Sequence, residues 1–375
     1  MKIVRPGILC ALISFMLTSC HVGRYFHWNL ADVNDYRRFP ADSVKKGPQT
    51  FSFNIAPGNI SLTLAKDYNK KGKLTSFEDF LKHEKTTAFL IIRNDSIIYE
   101  KYFYGNNENS VLPSFSVAKS FVSALAGIAV AEGYIKSVDD PVTDYVKGFK
   151  HEGFDKVTLR HLLDMRSGVR FNEGYVNPFG HMAKFYYGTH LDKYTLKLKI
   201  REAPGLHYDY ISGNTQILAM ALENSTGKTL PVYLQEKIWI PLGMEKDASW
   251  NYDSRKHHRT KSFCCINATA RDFAKFGRLY LKKGNWQGKQ LIPESWMKQN
   301  FTITHDSRDS QGYPYEMHWR VKTDGSIFAK GILGQYIYVD PEKDLLILRF
   351  GKKAGKTNWP ALFETIAREV SREKQ

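Results

Sequence analysis

The stretch from Ser116 to Ile135 limits the fold more than any other. Its residues are mostly small and apolar, with Ala, Val, Leu and Ile at close intervals and Gly133 near the end. A helix that is apolar nearly all round must be enclosed by other layers. The flanking sequence supplies them. Thr86 to Ile92 and Ser96 to Tyr104 are rich in Ile, Phe and Tyr and are separated by Arg93-Asn94-Asp95, which predicts a β-hairpin. Near the other end, Tyr336 to Val339 and Leu345 to Phe350 bracket the turn Asp340-Pro341-Glu342-Lys343. Pro360 to Arg372 then reads as a closing amphipathic helix with Pro at an early position.

Between these ends, from Asp140 to about Lys283, helical stretches alternate with turns. Val157 to Leu163 predicts an N-capped helix closing at Ser167-Gly168. Gln216 to Leu222 lies in a second, ended by Ser225-Thr226-Gly227. Asn267 to Lys282 predicts a third, capped near Thr269. Strands, a helical insertion, strands and a helix imply an α/β fold. An antiparallel sheet drawn from both ends of the chain would be flanked by helices, with an all-helical lobe at about 140–283 inserted. On this reading residues 20–85 are a lead-in with few strong signals, and residues 86–373 are the main domain.

The start of the chain is different. Lys2 and Arg5 precede an apolar run from Ile8 to Leu17, then Leu17-Thr18-Ser19-Cys20. A basic start, a short apolar core and small residues before the cut make a secretory signal over residues 1–19. The run is too short to span a bilayer, which takes about 20 residues. The end of the signal resembles a bacterial lipobox, implying that Cys20 becomes the acylated first mature residue and a membrane anchor. His21 rather than Asp follows, resembling an outer-membrane address.

Of the four cysteines, Cys10 leaves with the signal and Cys20 would carry lipid. Cys264 and Cys265 remain, and neighbouring cysteines are not expected to bridge each other. No Cys/His spacing suggests zinc, and His83-Glu84 and His151-Glu152 both lack a second His at the metalloprotease position. No metal and no cofactor are expected. The net charge is +16, and loss of residues 1–19 removes Lys2 and Arg5 with no acid, leaving +14. Such a charge suits anionic surroundings such as envelope polymers or lipid headgroups. It is spread along the chain, and the export signal argues against nucleic acid as the partner. The densest basic segment, Lys193 to Arg201, reads as a solvated helical face.

Ser116-Val117-Ala118-Lys119 is an S-x-x-K element. Positions i and i+3 share a helix face, so hydroxyl and amine can meet. The hydroxyl is a weak nucleophile until a base takes its proton, and a buried lysine can be that base. The tetrapeptide also occurs at Ser43-Lys46, Ser225-Lys228, Ser295-Lys298 and Ser371-Lys374. Only Ser116 precedes a long apolar helix able to bury its lysine. A second element is Tyr208-Asp209-Tyr210-Ile211-Ser212-Gly213-Asn214, introduced by Pro204-Gly205. A third is Ala329-Lys330-Gly331-Ile332-Leu333-Gly334-Gln335, just before a strand. Glycines there let the backbone pass close to a ligand.

Together these elements resemble the serine β-lactamase and penicillin-binding protein superfamily, particularly its class C branch and the related esterases, D-aminopeptidases and 6-aminohexanoate-dimer hydrolase. Framework segments strengthen the likeness: Asp139-Asp140-Pro141-Val142, His161-Leu162-Leu163 with Ser167-Gly168, Asn267-Ala268-Thr269-Ala270-Arg271-Asp272, Ser295-Trp296, and Gly334-Gln335 with Val339-Asp340-Pro341. The resemblance covers about residues 85–370. It implies Ser116 as the acylated nucleophile, Lys119 as general base and Tyr210 as proton relay to the leaving group. It places the oxyanion hole at the backbone N–H groups of Ser116 and Ile332, and Ser212, Gly331 and Gln335 at the substrate. The implied partner is a small ester, amide or peptide. One departure stands out. The family's basic residue of the third element falls on Ala329, and Lys330, one place along, faces the other way on a strand. This argues against efficient β-lactam hydrolysis or DD-peptidase activity and looks more like the esterase and aminohexanoate-hydrolase branch. His161, Arg271 and Asp272 are read as structural; Gln335 either touches substrate or orients the strand edge, and Asn214 either hydrogen-bonds near the site or is structural. A G-x-S-x-G elbow is absent, which disfavours the α/β-hydrolase fold.

Overall fold

A computed structural model describes residues 21–372, except 29, 58–59 and 63–73. The expected signal over residues 1–19 and Cys20 lie outside the described residues. The principal strands are β1 (Ala41–Val44), β2 (Asn54–Ile55), β3 (Thr86–Arg93), β4 (Ser96–Tyr102), β5 (Leu112–Pro113), β6 (Ala248–Asn251), β7 (Ile266–Ala268), β8 (Tyr315–Glu316), β9 (Trp319–Val321), β10 (Ile327–Gly331), β11 (Gln335–Asp340) and β12 (Leu345–Gly351). The principal helices are α1 (His21–Trp28), α2 (Phe77–His83), α3 (Ala118–Ala131), α4 (Leu159–Leu163), α5 (His181–Tyr187), α6 (Ser212–Thr226), α7 (Ala270–Leu281), α8 (Glu294–Phe301) and α9 (Trp359–Arg372).

The main sheet has eight strands in the order β8-β9-β10-β11-β12-β3-β4-β2. The C-terminal strand β12 pairs antiparallel with β3, Leu348 opposite Leu90, so both ends of the chain share one sheet as expected. Only the short β2–β4 pair is parallel. Alternation divides the side chains between two cores. Ala88, Leu90, Ile92, Ile337, Val339, Leu346 and Leu348 pack with α3 and α7 on one face. Phe89, Ile91, Tyr336, Tyr338, Leu345 and Ile347 pack with α2 and α9 on the other. Helix α3 is the enclosed element: every residue from Ala118 to Ala129 is buried. The Phe121 ring stacks on Phe276 of α7 at 3.6 Å.

Four expectations need correction. The segment 21–85 is woven into the domain rather than leading up to it. Helix α1 buries Tyr25, whose ring meets Tyr187 of α5 at 5.7 Å, β1 pairs with β6, and α2 places Phe77, Phe80 and Leu81 in the second core. The lobe at 140–283 is not all helical. Its last part holds β6 and β7, in a second sheet of order β1-β6-β7-β5, and α7 lies against the main sheet, with Gly277 facing Ile337 and Leu346. Asn267 and Ala268, expected in the helix, are strand, and the helix starts after Thr269, whose hydroxyl accepts from Asp272 N. Finally, Cys264 and Cys265 form a disulfide despite being adjacent. Cys265 takes φ +79°, a left-handed conformation in the short loop before β7.

Candidate active site

Ser116 sits at a corner made by its neighbours. Pro113 ends β5, and Phe115–Val117 form a 3-10 turn that leads directly into α3. Phe115 has φ +43°. That region is costly for a bulky residue, about 1–3 kcal/mol, and persists only where the surroundings enforce it. Here β7 does so: Ser114 N donates to Ile266 O (2.8 Å) and Ile266 N donates to Ser114 Oγ (3.0 Å). The turn leaves Ser116 as the one partly exposed residue in a buried run from Leu112 to Ala129.

Lys119, one turn along and 1% exposed, reaches back to this serine. Its Nζ donates to Ser116 Oγ (3.1 Å), Ser212 Oγ (3.2 Å) and Phe263 O (2.9 Å). Three polar contacts in an apolar surrounding hold the amine in place, since a buried amine without partners is costly. Ser212 is the first residue of α6 and Tyr210 lies in the loop just before it. The Tyr210 ring centroid is 5.0 Å from Lys119 Nζ. Ser116, Lys119, Tyr210 and Ser212 therefore converge from two distant segments.

The third element approaches from β10. A side chain at Gly331 would place its Cβ 2.6 Å from Ser114 O and 3.2 Å from Phe115 Cβ, so glycine lets the strand pass close to the corner beneath Ser116 and any larger residue would force the two apart. The short turn Ile332–Gly334 follows, with Leu333 at φ +62°. Gln335, expected at the substrate, is 1% exposed and works beneath this turn. Its Nε2 donates to Ile332 O (3.1 Å) and Gly351 O (2.8 Å), and its Oε1 accepts from Gly351 N (3.0 Å). Both ends of its amide are thus engaged by backbone. Ser212 likewise faces inward, 1% exposed.

Sequence reasoning missed two charged residues here. Glu173, in the loop between α4 and α5, accepts from Ser212 N through Oε2 and from Ser212 Oγ through Oε1, both at 2.7 Å. The free N–H at the start of α6 and the local dipole favour a carboxylate there. Tyr175 Oη donates to the same carboxylate (3.1 Å). Loss of solvent pushes the Glu173 carboxyl above its ordinary range, against the opposing pull of Lys119 and the Ser212 donors. A chain of contacts therefore runs Ser116–Lys119–Ser212–Glu173. The second is Arg320 on β9, whose Cζ lies 5.5 Å from the Tyr210 ring centroid. Arg320 is bound to Asp309 (2.6 Å). No local pattern marked either residue, because both contacts are tertiary.

The residues read as structural have structural partners. Thr158 and His161 form a reciprocal capping box, each side chain accepting the other's N–H at 3.2 Å. Asp272 accepts from Glu245 N (2.7 Å) and Lys246 N (3.2 Å). Arg271 pairs with Glu100 (2.6 Å), and Asn214 Oδ1 accepts from Ser167 Oγ (2.6 Å). Ala329 belongs to the core shared with α3, whereas Phe328 on the alternate face belongs to the other. Lys330 bonds to Gln311, and burial draws its amine down to about 8. Among the described residues, Asp164, His305 and Glu316 offer ligand atoms within 4.8 Å of one another. Their carboxylates already accept backbone N–H groups of Met317, Thr304 and His305, and the Ser116 cluster does not include them.

The sequence profile of the Beta-lactamase family matches residues 76–368. A 6-aminohexanoate-dimer hydrolase of Paenarthrobacter ureafaciens is 26% identical over 80% of this chain and 81% of its own length. A solved structure from Bacillus anthracis, assigned as a 6-aminohexanoate-dimer hydrolase, superposes with a TM-score of 0.82 at 27% identity, over 93% of this chain and 95% of that one. A penicillin-binding protein of Bacillus halodurans shares the fold at 16% identity and a TM-score of 0.62, over 76% of this chain and 97% of its own. With a profile match across most of its length and the β-lactamase/transpeptidase-like fold, the chain belongs to the beta-lactamase family of hydrolases, within the serine β-lactamase and penicillin-binding protein superfamily.

Proposed function

We propose that this protein is an exported, lipid-anchored serine hydrolase that cleaves an ester or amide through an acyl-enzyme on Ser116. The observation that carries the reading is the Lys119 amine, enclosed and bonded at once to Ser116 Oγ and Ser212 Oγ. In its unprotonated form this amine accepts the Ser116 proton as Oγ bonds to the carbonyl carbon. The carbonyl electron pair moves to oxygen, and the N–H groups of Ser116 and Ile332 receive it. The Glu173 carboxylate, one hydroxyl away, favours the ammonium that forms. Collapse expels the leaving group, which takes its proton from Lys119 by way of Tyr210. Water then attacks the acyl-enzyme by the reverse relay and releases the acid.

Amides and peptides are favoured as substrates by the relatives: the 6-aminohexanoate-dimer hydrolase above, and a D-aminopeptidase of Brucella anthropi, 31% identical over 36% of this chain and 25% of its own. β-Lactamase activity is disfavoured by Ala329. A panel of p-nitrophenyl esters, D-aminoacyl amides, linear aminohexanoate amides and nitrocefin tests the reading on wild type and Ser116→Ala. Hydrolysis lost with the substitution, together with fluorophosphonate labelling of Ser116, is the expected result. Activity that survives Ser116→Ala discards the mechanism.

A further inference from the structure

Away from the active site, α1 borders a surface cavity of about 470 Å³. Four arginines from three parts of the chain line it: Arg24 on α1, Arg37 and Arg38 after the first loop, and Arg255 after β6. Two are held in shape by neighbours. Arg24 donates to Tyr187 O (3.0 Å), and Arg38 pairs with Asp35 (2.6 Å). Arg37 and Arg255 are exposed, and neither forms an ion pair among the described residues. The Arg37 guanidinium is steadied by the Tyr36 hydroxyl (2.9 Å) and ring. The one carboxylate in the lining, Asp253, accepts the backbone N–H groups of Ser254, Arg259 and Leu191. The cavity therefore keeps a surplus of guanidinium donors.

Guanidinium forks fit phosphate oxygens in a bidentate manner. The place of the cavity favours one source of phosphate. His21, the residue after Cys20, opens α1, and Arg24 follows three residues later, about 4.5 Å of helix rise. An acyl chain on Cys20 would hold a membrane surface beside this cavity. We propose that the cavity is a headgroup site that takes the phosphate of an anionic phospholipid and fixes how the enzyme sits on its membrane.

The test uses the mature chain, residues 20–375, with Cys20→Ser so that no acyl group supplies the binding. Sedimentation with phosphatidylglycerol-containing vesicles, and with pure phosphatidylcholine vesicles, measures the preference for anionic lipid. The proposal expects clear preference for the anionic vesicles. It expects Arg37→Ala/Arg255→Ala to bind roughly 30-fold more weakly, the factor for two basic groups at an anionic surface. Unchanged ester hydrolysis by the variant checks its fold. Lys289→Ala/Lys298→Ala, which removes two exposed charges elsewhere, is expected to change binding by less than about threefold. An equal loss with this control pair would reduce the effect to diffuse charge and overturn the proposal. So would equal binding to both vesicles, or calorimetric binding of inorganic phosphate that Arg37→Ala/Arg255→Ala abolishes while vesicle binding is unchanged, which would make the cavity a free-phosphate site.

Discussion

Gly331→Ala isolates the contribution of the turn beside Ser116. At φ −119°, residue 331 has a backbone any amino acid adopts, so the substitution adds contact without torsional strain. The new Cβ would meet Ser114 O at 2.6 Å, whereas ordinary contact begins near 3.4 Å, so roughly 0.8 Å must open. Ser114 is poorly placed to yield, being tied to Ile266 by two hydrogen bonds of 2.8 and 3.0 Å. The displacement therefore falls on residues 331–334, which carry the Ile332 N–H. Removing one oxyanion donor, or misplacing it by about 1 Å, costs roughly 10²–10³ in kcat. We expect that loss with KM changed by less than about fivefold, since the donor acts on charge that develops after binding. Overpacking would lower stability by about 1–3 kcal/mol, leaving a folded protein. Ester hydrolysis gives kcat and KM, and a thermal melt reports the fold. A variant within threefold of wild-type kcat at native stability would refute the assignment of Ile332 N–H to the oxyanion.

Glu173→Gln removes charge while keeping shape, and should lower kcat about tenfold or more, the scale of one charge-assisted hydrogen bond, with little change in Tm; an unaltered kcat at neutral pH would remove Glu173 from the relay. Acid stability should report on His318, which burial holds down at about 4 from an ordinary 6.5. Because the unfolded chain takes up this proton first, stability is complete above pH 6.5 and falls as pH drops toward 4. The loss attributable to His318 between pH 7.5 and 5 is about 2 kcal/mol. Urea unfolding at both pH values should show it as a difference between wild type and His318→Gln, and equal pH slopes for the two would contradict it.

What was legible in the sequence is what local pattern encodes. The enclosed helix after Ser116, the β3–β4 hairpin, the β11–β12 turn and the closing helix all announce themselves through periodicity and turn residues. Lys119 follows from its spacing, and its burial from the apolar residues around it. What was hidden depends on contacts between segments. Glu173 sits 39 residues before the serine it grips, in an ordinary polar loop. Residues 21–55 lack strong periodicity because their strands are two to four residues long and complete sheets built elsewhere. Helix α7 was placed in the lobe by its sequence order, although its apolar face belongs to the sheet.

The same distinction bears on substrate choice. Ala329 packs in the core shared with α3 and offers no cation there, while Lys330, on the alternate face with Phe328, bonds to Gln311. Positive charge does lie beside Tyr210, but it comes from Arg320 on β9 and is already engaged by Asp309 at 2.6 Å. A substrate carboxylate would have to compete with that buried partner, and removing one member of a buried pair is costly. A neutral amide or ester makes no such demand. On the acyl-enzyme reading proposed above, a substrate without a carboxylate at its reacting end leaves the Arg320–Asp309 pair undisturbed, and Arg320 stays against the Tyr210 ring.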